Sequence, residues 1–187
     1  MNLVQGRECG DCVACCVTLE IQDPQIAKPA DVFCKHCTGH GCAIYDTRPP
    51  VCRDWYCLWR RDKNLPDNLR PDQCGVIFSI DGDARGRSIF ESFFIVARSM
   101  ENDRSVFNAP AVNAALKILV QDGTGVMPIF LSWELGTKVQ FYPSGPFADA
   151  IERPHTTPYS TFVIQALGWR ARYRELLQSL GMVPNFL

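Results

Sequence analysis

Cys9-Gly10-Asp11-Cys12-Val13-Ala14-Cys15-Cys16 opens a stretch in which nine of the chain's ten cysteines fall between positions 9 and 57. Residues 1–74 are rich in Cys, Pro and Asp and carry few amphipathic stretches long enough for an ordinary core. Thiols packed this densely point to a shared metal, so inorganic ions are expected to organise this part of the fold.

Chelation requires several soft donors within about 2.3 Å of one ion, and a Cys-x2-Cys loop preassembles two of them at small entropic cost. Cys9-x2-Cys12 and Cys34-x2-Cys37 are two such loops, and the 21 residues between them lie close to the spacing of a structural zinc site. Cys15, Cys16, Cys42, Cys52 and Cys57 remain. Together these are too many thiols for one four-coordinate ion. The count favours two centres over one centre with further reactive or packed thiols. Zinc accepts an all-thiolate tetrahedron, and Cys9-x2-Cys12-x2-Cys15 with distant cysteines also fits an iron-sulfur pattern, so both metals stay open. Arg48 and Arg53 are placed in the sequence to offset thiolate charge.

Cys9-Gly-Asp-Cys12-Val-Ala-Cys15-Cys16, followed by Cys42-Ala-Ile-Tyr45-Asp-Thr-Arg48-Pro49-Pro-Val-Cys52-Arg53-Asp-Trp-Tyr-Cys57, resembles the CxxCxxCC (YkgJ-like) cysteine-cluster family. That family is described as a zinc- or iron-chelating domain with eight characteristic cysteines. A related domain occurs in a flagellin lysine methylase where an iron-sulfur cluster is implicated. The resemblance covers about residues 9–60 and implies Cys9, Cys12, Cys15, Cys16, Cys42, Cys52 and Cys57 as metal ligands, with Cys34 or Cys37 as the eighth. The chain departs from the family in carrying Trp55-Tyr56 where a Phe-Pro pair is more usual, and in adding the Cys34-Lys-His-Cys37 knuckle.

With 187 residues, the chain suits one domain or a small module joined to a compact one, burying roughly 70% of its unfolded surface. Its 19 Lys and Arg balance 20 Asp and Glu, so no global field draws it to nucleic acid or an anionic membrane. The N-terminus lacks an apolar signal core and no apolar run approaches 18 residues, which predicts a cytoplasmic chain. In that reducing compartment the cysteines are expected as thiols or metal thiolates, not disulfides. The partner expected is a protein of unknown identity, with no nucleic acid and no membrane.

A composition change near Pro71–Gly75 divides the chain into a cysteine-cluster module, residues 1–74, and an α+β domain, residues 75–187, packed as one compact unit. Residues 75–81 read as a strand, 82–86 as a turn and 88–98 as a second strand. Asn108 is expected to cap a helix with Pro110 in its first turn, using Val112, Leu116 and residues 118–120 for packing and ending at Gly123. Residues 127–133 and 138–142 read as a further hairpin around 134–137. A last helix over 160–180 presents Phe162, Ala166, Trp169, Tyr173, Leu176 and Leu180 on one face. The order β-β-α-β-β-α predicts an antiparallel sheet of hairpins with helices on one face.

Cys74, next to an apolar strand, reads as a buried structural thiol and is left out of the ligand set. His36 and His40 flank the knuckle but face competition from abundant thiols, while His155 reads as ordinary loop. Tyr45, Trp55, Tyr56 and Trp59 read first as packing for a module short of aliphatics. Arg170, Arg172 and Arg174 oppose the apolar stripe of the last helix and read as its solvated face. Phosphate-loop, nucleophile-elbow and zinc-protease motifs are absent from the sequence, and Asp81-Gly-Asp83 reads as a turn. The residues leave open whether the chain is an enzyme. They point to a metal-binding accessory or partner-binding protein, or to an iron-sulfur protein in redox or protein-modifying chemistry.

Overall fold

The computed structural model describes residues 3–82, 94–121, 128–134, 137 and 139–142. The expected turn at 82–86, the end of the central helix at Gly123 and the whole helix 160–180 lie partly or wholly outside these residues. The described chain is α+β. Short helices α1 (Ala14–Thr18), α2 (Pro50–Arg53), α3 (Leu58–Arg61) and α4 (Pro71–Cys74) precede strands β1 (Val76–Asp81) and β2 (Phe94–Ser99). Helix α5 (Pro110–Gln121) and strands β3 (Ile129–Ser132) and β4 (Val139–Tyr142) follow. Among the described residues no helix is long and apolar enough to cross a membrane.

The sheet has the order β1-β2-β3-β4. β1 and β2 pair antiparallel with Val76 opposite Ser99 and Asp81 opposite Phe94, and β3 and β4 pair antiparallel with a shift between Ile129 and Phe130. The expected all-antiparallel sheet is corrected at its centre, where β2 and β3 run parallel, Ile95 opposite Ile129 and Arg98 opposite Ser132. A parallel pair needs a crossover of a dozen or more residues, and the segment between Ser99 and Ile129, which contains α5, supplies it. Each hairpin is local and visible in the residues, whereas the way the two hairpins join is set by packing over that long connection.

Val112, Ala115, Leu116 and Leu119 recur at helical spacing and are at most 1% exposed, so one stripe of α5 is fully removed from water. The helix starts one residue later than an Asn108 cap would give. Arg104–Asn108 form a 3-10 turn capped by the Asp103 carboxylate, which accepts the Ser105 N–H at 2.7 Å. The first carbonyl of the helical ladder is that of Ala109, which accepts the Asn113 N–H at 2.9 Å.

A single hydrophobic cluster joins the cysteine-rich segment to the sheet. It contains Ala14, Cys57, Leu58, Trp59, Leu65 and Leu69 from the first 74 residues, with Val76, Ile77, Phe78, Ile95, Ala97 and the α5 stripe. α3 and α4 pack on β1, whose Val76, Ile77 and Phe78 are successive buried residues, the pattern of a strand covered on both faces. Each fully buried Leu or Phe contributes about 1.5–3 kcal/mol, so this seam is a principal stabiliser of the cysteine-rich segment. Gly75 closes α4 in a left-handed conformation at φ 73°, and a β-carbon there would lie 3.2 Å from Val106. Arg98 of β2 meets Asp31 at 3.0 Å and ties the loop ahead of Cys34 to the sheet.

Candidate metal centre

Gly10 takes a left-handed φ of 53°, which lets the Cys12 N–H reach back to the Cys9 carbonyl at 2.9 Å and brings the first two thiols onto one tight turn. α1 begins two residues later and carries Cys15 and Cys16. The chain then leaves, returns through the antiparallel bridge of Ile21 with Lys28, and docks when the Cys34 N–H donates to the Cys16 carbonyl at 2.9 Å. The knuckle closes as Cys37 N–H donates to the Cys34 carbonyl at 2.9 Å, and a reversal over Thr38–Gly41 sets Cys37 opposite Cys42. Cys52 sits in α2 and Cys57 caps α3.

These segments converge on a cavity of about 170 Å³ whose wall includes Cys9, Cys12, Cys15, Cys16, Cys34, Cys42 and Cys52. His36 and Arg48 share the wall, and Leu19, Ile21, Ile26, Ile44, Val51 and Trp55 make much of the remainder apolar. Cys37 stands off the wall with its thiol donating to Cys16. Cys57 lies behind it in the hydrophobic cluster, 8% exposed, within electrostatic reach of Cys9 and Cys12. Cys74 is turned away, its S–H between the Val76 carbonyl at 3.2 Å and the Leu69 carbonyl at 3.6 Å. All ten cysteines are free thiols. Among the described residues no three Cys, His, Asp or Glu side chains stand in a ready ligating set.

Charge is unevenly distributed around the cavity. The Cys15 thiol donates to Cys16 and pulls Cys16 down to about 6, against the opposing effect of burial. The Cys37 thiol and the charges of Lys28 and Arg48 act in the same direction as Cys15. Cys15 moves well above the ordinary thiol value, because its proton is held by Cys16 and because it is buried. Burial pushes Cys57 up to about 11, although the N–H groups of Arg60 and Trp59 at the start of α3 favour its thiolate. Burial also raises Cys12, partly offset by the N–H groups of Ala14 and Asp72, and raises Cys52 with help from Cys16, Cys34 and Cys42.

Two buried cations that hold the surrounding loops carry no local signal in the sequence. Lys28 is 7% exposed and donates to the carbonyls of Val17 at 2.9 Å and Leu19, at the end of α1, and to that of Pro29 at 2.9 Å. Burial lowers its affinity for a proton, and Cys34, Cys16 and Asp31 act to restore it. Arg7 is 8% exposed, bonds the Trp59 carbonyl at 2.6 Å, the Asp62 carbonyl at 2.9 Å and the Leu65 carbonyl, and meets the Asp67 carboxylate at 2.9 Å. It anchors the strand of chain that delivers Cys9.

Of the two arginines expected beside the thiols, Arg48 is there. It stacks at 3.7 Å over the Tyr45 ring, and its buried Nε has no acceptor among the described residues. Arg53 is not. It is 58% exposed and pairs with Asp54 at 3.5 Å. His40 is absent from the cavity wall, whereas His36 is on it. Comparison with protein-family models, with curated proteins and with solved structures finds no match for the chain.

Proposed function

We propose that residues 9–57 hold one or two cysteine-thiolate metal centres, zinc or iron-sulfur, which organise the cysteine-rich segment for binding a protein partner or for an accessory role. The observation that carries this reading is the convergence of seven thiols from distant parts of the segment on one cavity. Donor type and charge fit such a group. The thiols are soft ligands, Lys28 and Arg48 are in place to offset thiolate charge, and the buried Arg48 Nε is a donor that a thiolate would satisfy. Since no three donors stand ready to ligate among the described residues, binding would draw the thiols inward, coupling metal affinity to the order of the loops.

Cys9, Cys12, Cys15, Cys16, Cys42, Cys52 and Cys57, with Cys34 or Cys37, would hold the metal. Zinc would supply a redox-inert cross-link, and an iron-sulfur cluster would supply one-electron chemistry. The chain's own contribution is to hold thiolates beside fixed positive charge and to exclude water with the apolar wall. That wall favours a second reading, an iron-sulfur redox protein or a component of a protein-modifying enzyme such as a lysine methylase, because shielding from solvent is one means of tuning a cluster's potential. A cytoplasmic setting, the likeness to the cysteine-cluster family and the absence of nucleic-acid and membrane partners belong to the same proposal.

Elemental analysis and an absorption spectrum of anaerobically prepared protein test it. Colourless protein with zinc supports the first reading, and brown protein with acid-labile sulfide supports the second. Protein that stays free of both after reconstitution would sink both readings.

A further inference from the structure

The thiols around the cavity fall into two groups with different surroundings. Cys12, Cys15 and Cys57 pack in or against the hydrophobic cluster, and Cys9, Cys16, Cys34, Cys37, Cys42 and Cys52 do not. Backbone geometry draws the same line. Cys9 is joined to Cys12 through one tight turn, while Cys34 hangs from the Cys16 carbonyl, Cys37 from Cys34, and Cys42 lies across from Cys37.

Resting on the metal-binding reading above, we infer two separate metal sites. One is an inner site of Cys9, Cys12, Cys15 and Cys57 set on the core. The other is an outer site drawing four ligands from Cys16, Cys34, Cys37, Cys42 and Cys52.

Among the electrostatic neighbours, those of Cys57 and Cys52 fall on opposite sides of this division, while Lys28 and Arg48 reach thiols of both sets. Cys57 reaches Cys9 and Cys12, and Cys52 reaches Cys16, Cys34 and Cys42. The two sets meet at the peptide bond between Cys15 and Cys16, adjacent residues whose thiols hydrogen-bond to each other. The sulfurs are also supported differently. Backbone N–H groups favour the inner thiolates, those of Arg60 and Trp59 for Cys57 and those of Ala14 and Asp72 for Cys12, with the guanidinium of Arg61 near Cys57 and that of Arg70 near Cys12. In the outer set, Cys16 takes the Cys15 and Cys37 thiols as donors and has Lys28 and Arg48 beside it. Four thiolates satisfy one tetrahedral ion, and each group supplies at least four.

The test uses the full chain, reduced, stripped with a chelator and titrated anaerobically with Zn²⁺ and with Co²⁺, whose thiolate absorption reports each filled site. Wild type is expected to take up two equivalents. The Cys42→Ser and Cys52→Ser double variant, left with three outer thiols, should lose one equivalent, and adding Cys12→Ser to it should lose both. A Cys42→Ser and Cys52→Ser protein that binds nothing would show one shared polynuclear centre and overturn the division. Wild type taking up a single equivalent would also overturn it, leaving the metal-binding reading intact, and wild type binding neither ion would end both. A second measurement needs no variant. With one equivalent of Zn²⁺ bound, alkylation mapped by mass spectrometry should show protection that follows the two sets, and protection mixing Cys9 and Cys12 with Cys42 and Cys52 would refute the assignment.

Discussion

The sheet with α5 and the cysteine-rich segment reach order by different physical means. In the first, successive buried residues such as Val76–Phe78 and the α5 stripe remove apolar area from water, and ladder hydrogen bonds come with the strands. In the second, helices α1 to α4 have five residues or fewer, and single bonds such as Cys34 N–H to the Cys16 carbonyl position whole loops. Such short helices are marginal on their own. Buried cations serve there as fasteners, with Lys28 gathering three carbonyls and Arg7 three more. A segment built this way has many closely placed donors and little aliphatic mass, which suits it to an added cross-link.

The contrast can be broken most strongly by taking metal away. If thiolate centres order the segment, chelation should speed amide exchange through residues 9–57 far more than in β1 and β2, with a loss on the order of 10 kcal/mol per structural zinc. Equal protection with and without chelator would argue against it. Next in size is Phe78→Ala in the shared core, expected to cost about 3–5 kcal/mol and to lower the stability of both regions in one cooperative transition. Two separate transitions in denaturant would instead divide them. Arg7→Met should cost about 2–3 kcal/mol, since several carbonyls lose a charged donor, and should raise the alkylation rate of Cys9. Unchanged labelling would remove Arg7 from the delivery of that thiol. Gly75→Ala, forced to a positive φ against Val106, should lower stability by about 1 kcal/mol, read as a lower denaturation midpoint.

Smallest in net free energy is a pH effect in metal-free protein. Cys16, lowered from the ordinary 9.0 to about 6, stabilises the fold above 9 and loses that contribution as pH falls through 6. Cys15, raised, stabilises it below 9 and loses the contribution as pH rises through its folded value, so stability is expected to rise with pH between about 6 and 9 and to fall above 9. The effect is clearer in reactivity. Pulse alkylation at pH 7 should modify Cys16 well before Cys57, which burial holds protonated up to about 11, and equal rates would contradict that ordering.

Legibility in the sequence follows the same contrast. β1, the β3–β4 hairpin and α5 were readable because periodicity and turn residues act locally. The parallel join of β2 to β3 and the displaced helix start were not, because each depends on what packs across a long connection. In the cysteine-rich segment, spacing indicated which residues gather, and Cys9, Cys12, Cys15, Cys16, Cys34, Cys42 and Cys52 do line one cavity with Arg48. The roles of Lys28 and Arg7 were hidden, since a lysine in a Pro-rich loop and an arginine near the N-terminus look solvated until distant carbonyls surround them. Arg53 illustrates the converse, being close to the thiols in sequence yet turned to solvent with Asp54.

Cys57 and Leu58 are consecutive, yet the first leans toward the sulfur cluster and the second is 1% exposed in a helix seated on β1. One peptide unit therefore separates the thiol-rich side of the segment from the sheet. A tug on that sulfur, by whatever it comes to bind, is felt at once by the sheet, and strain in the sheet reports back along the same short path.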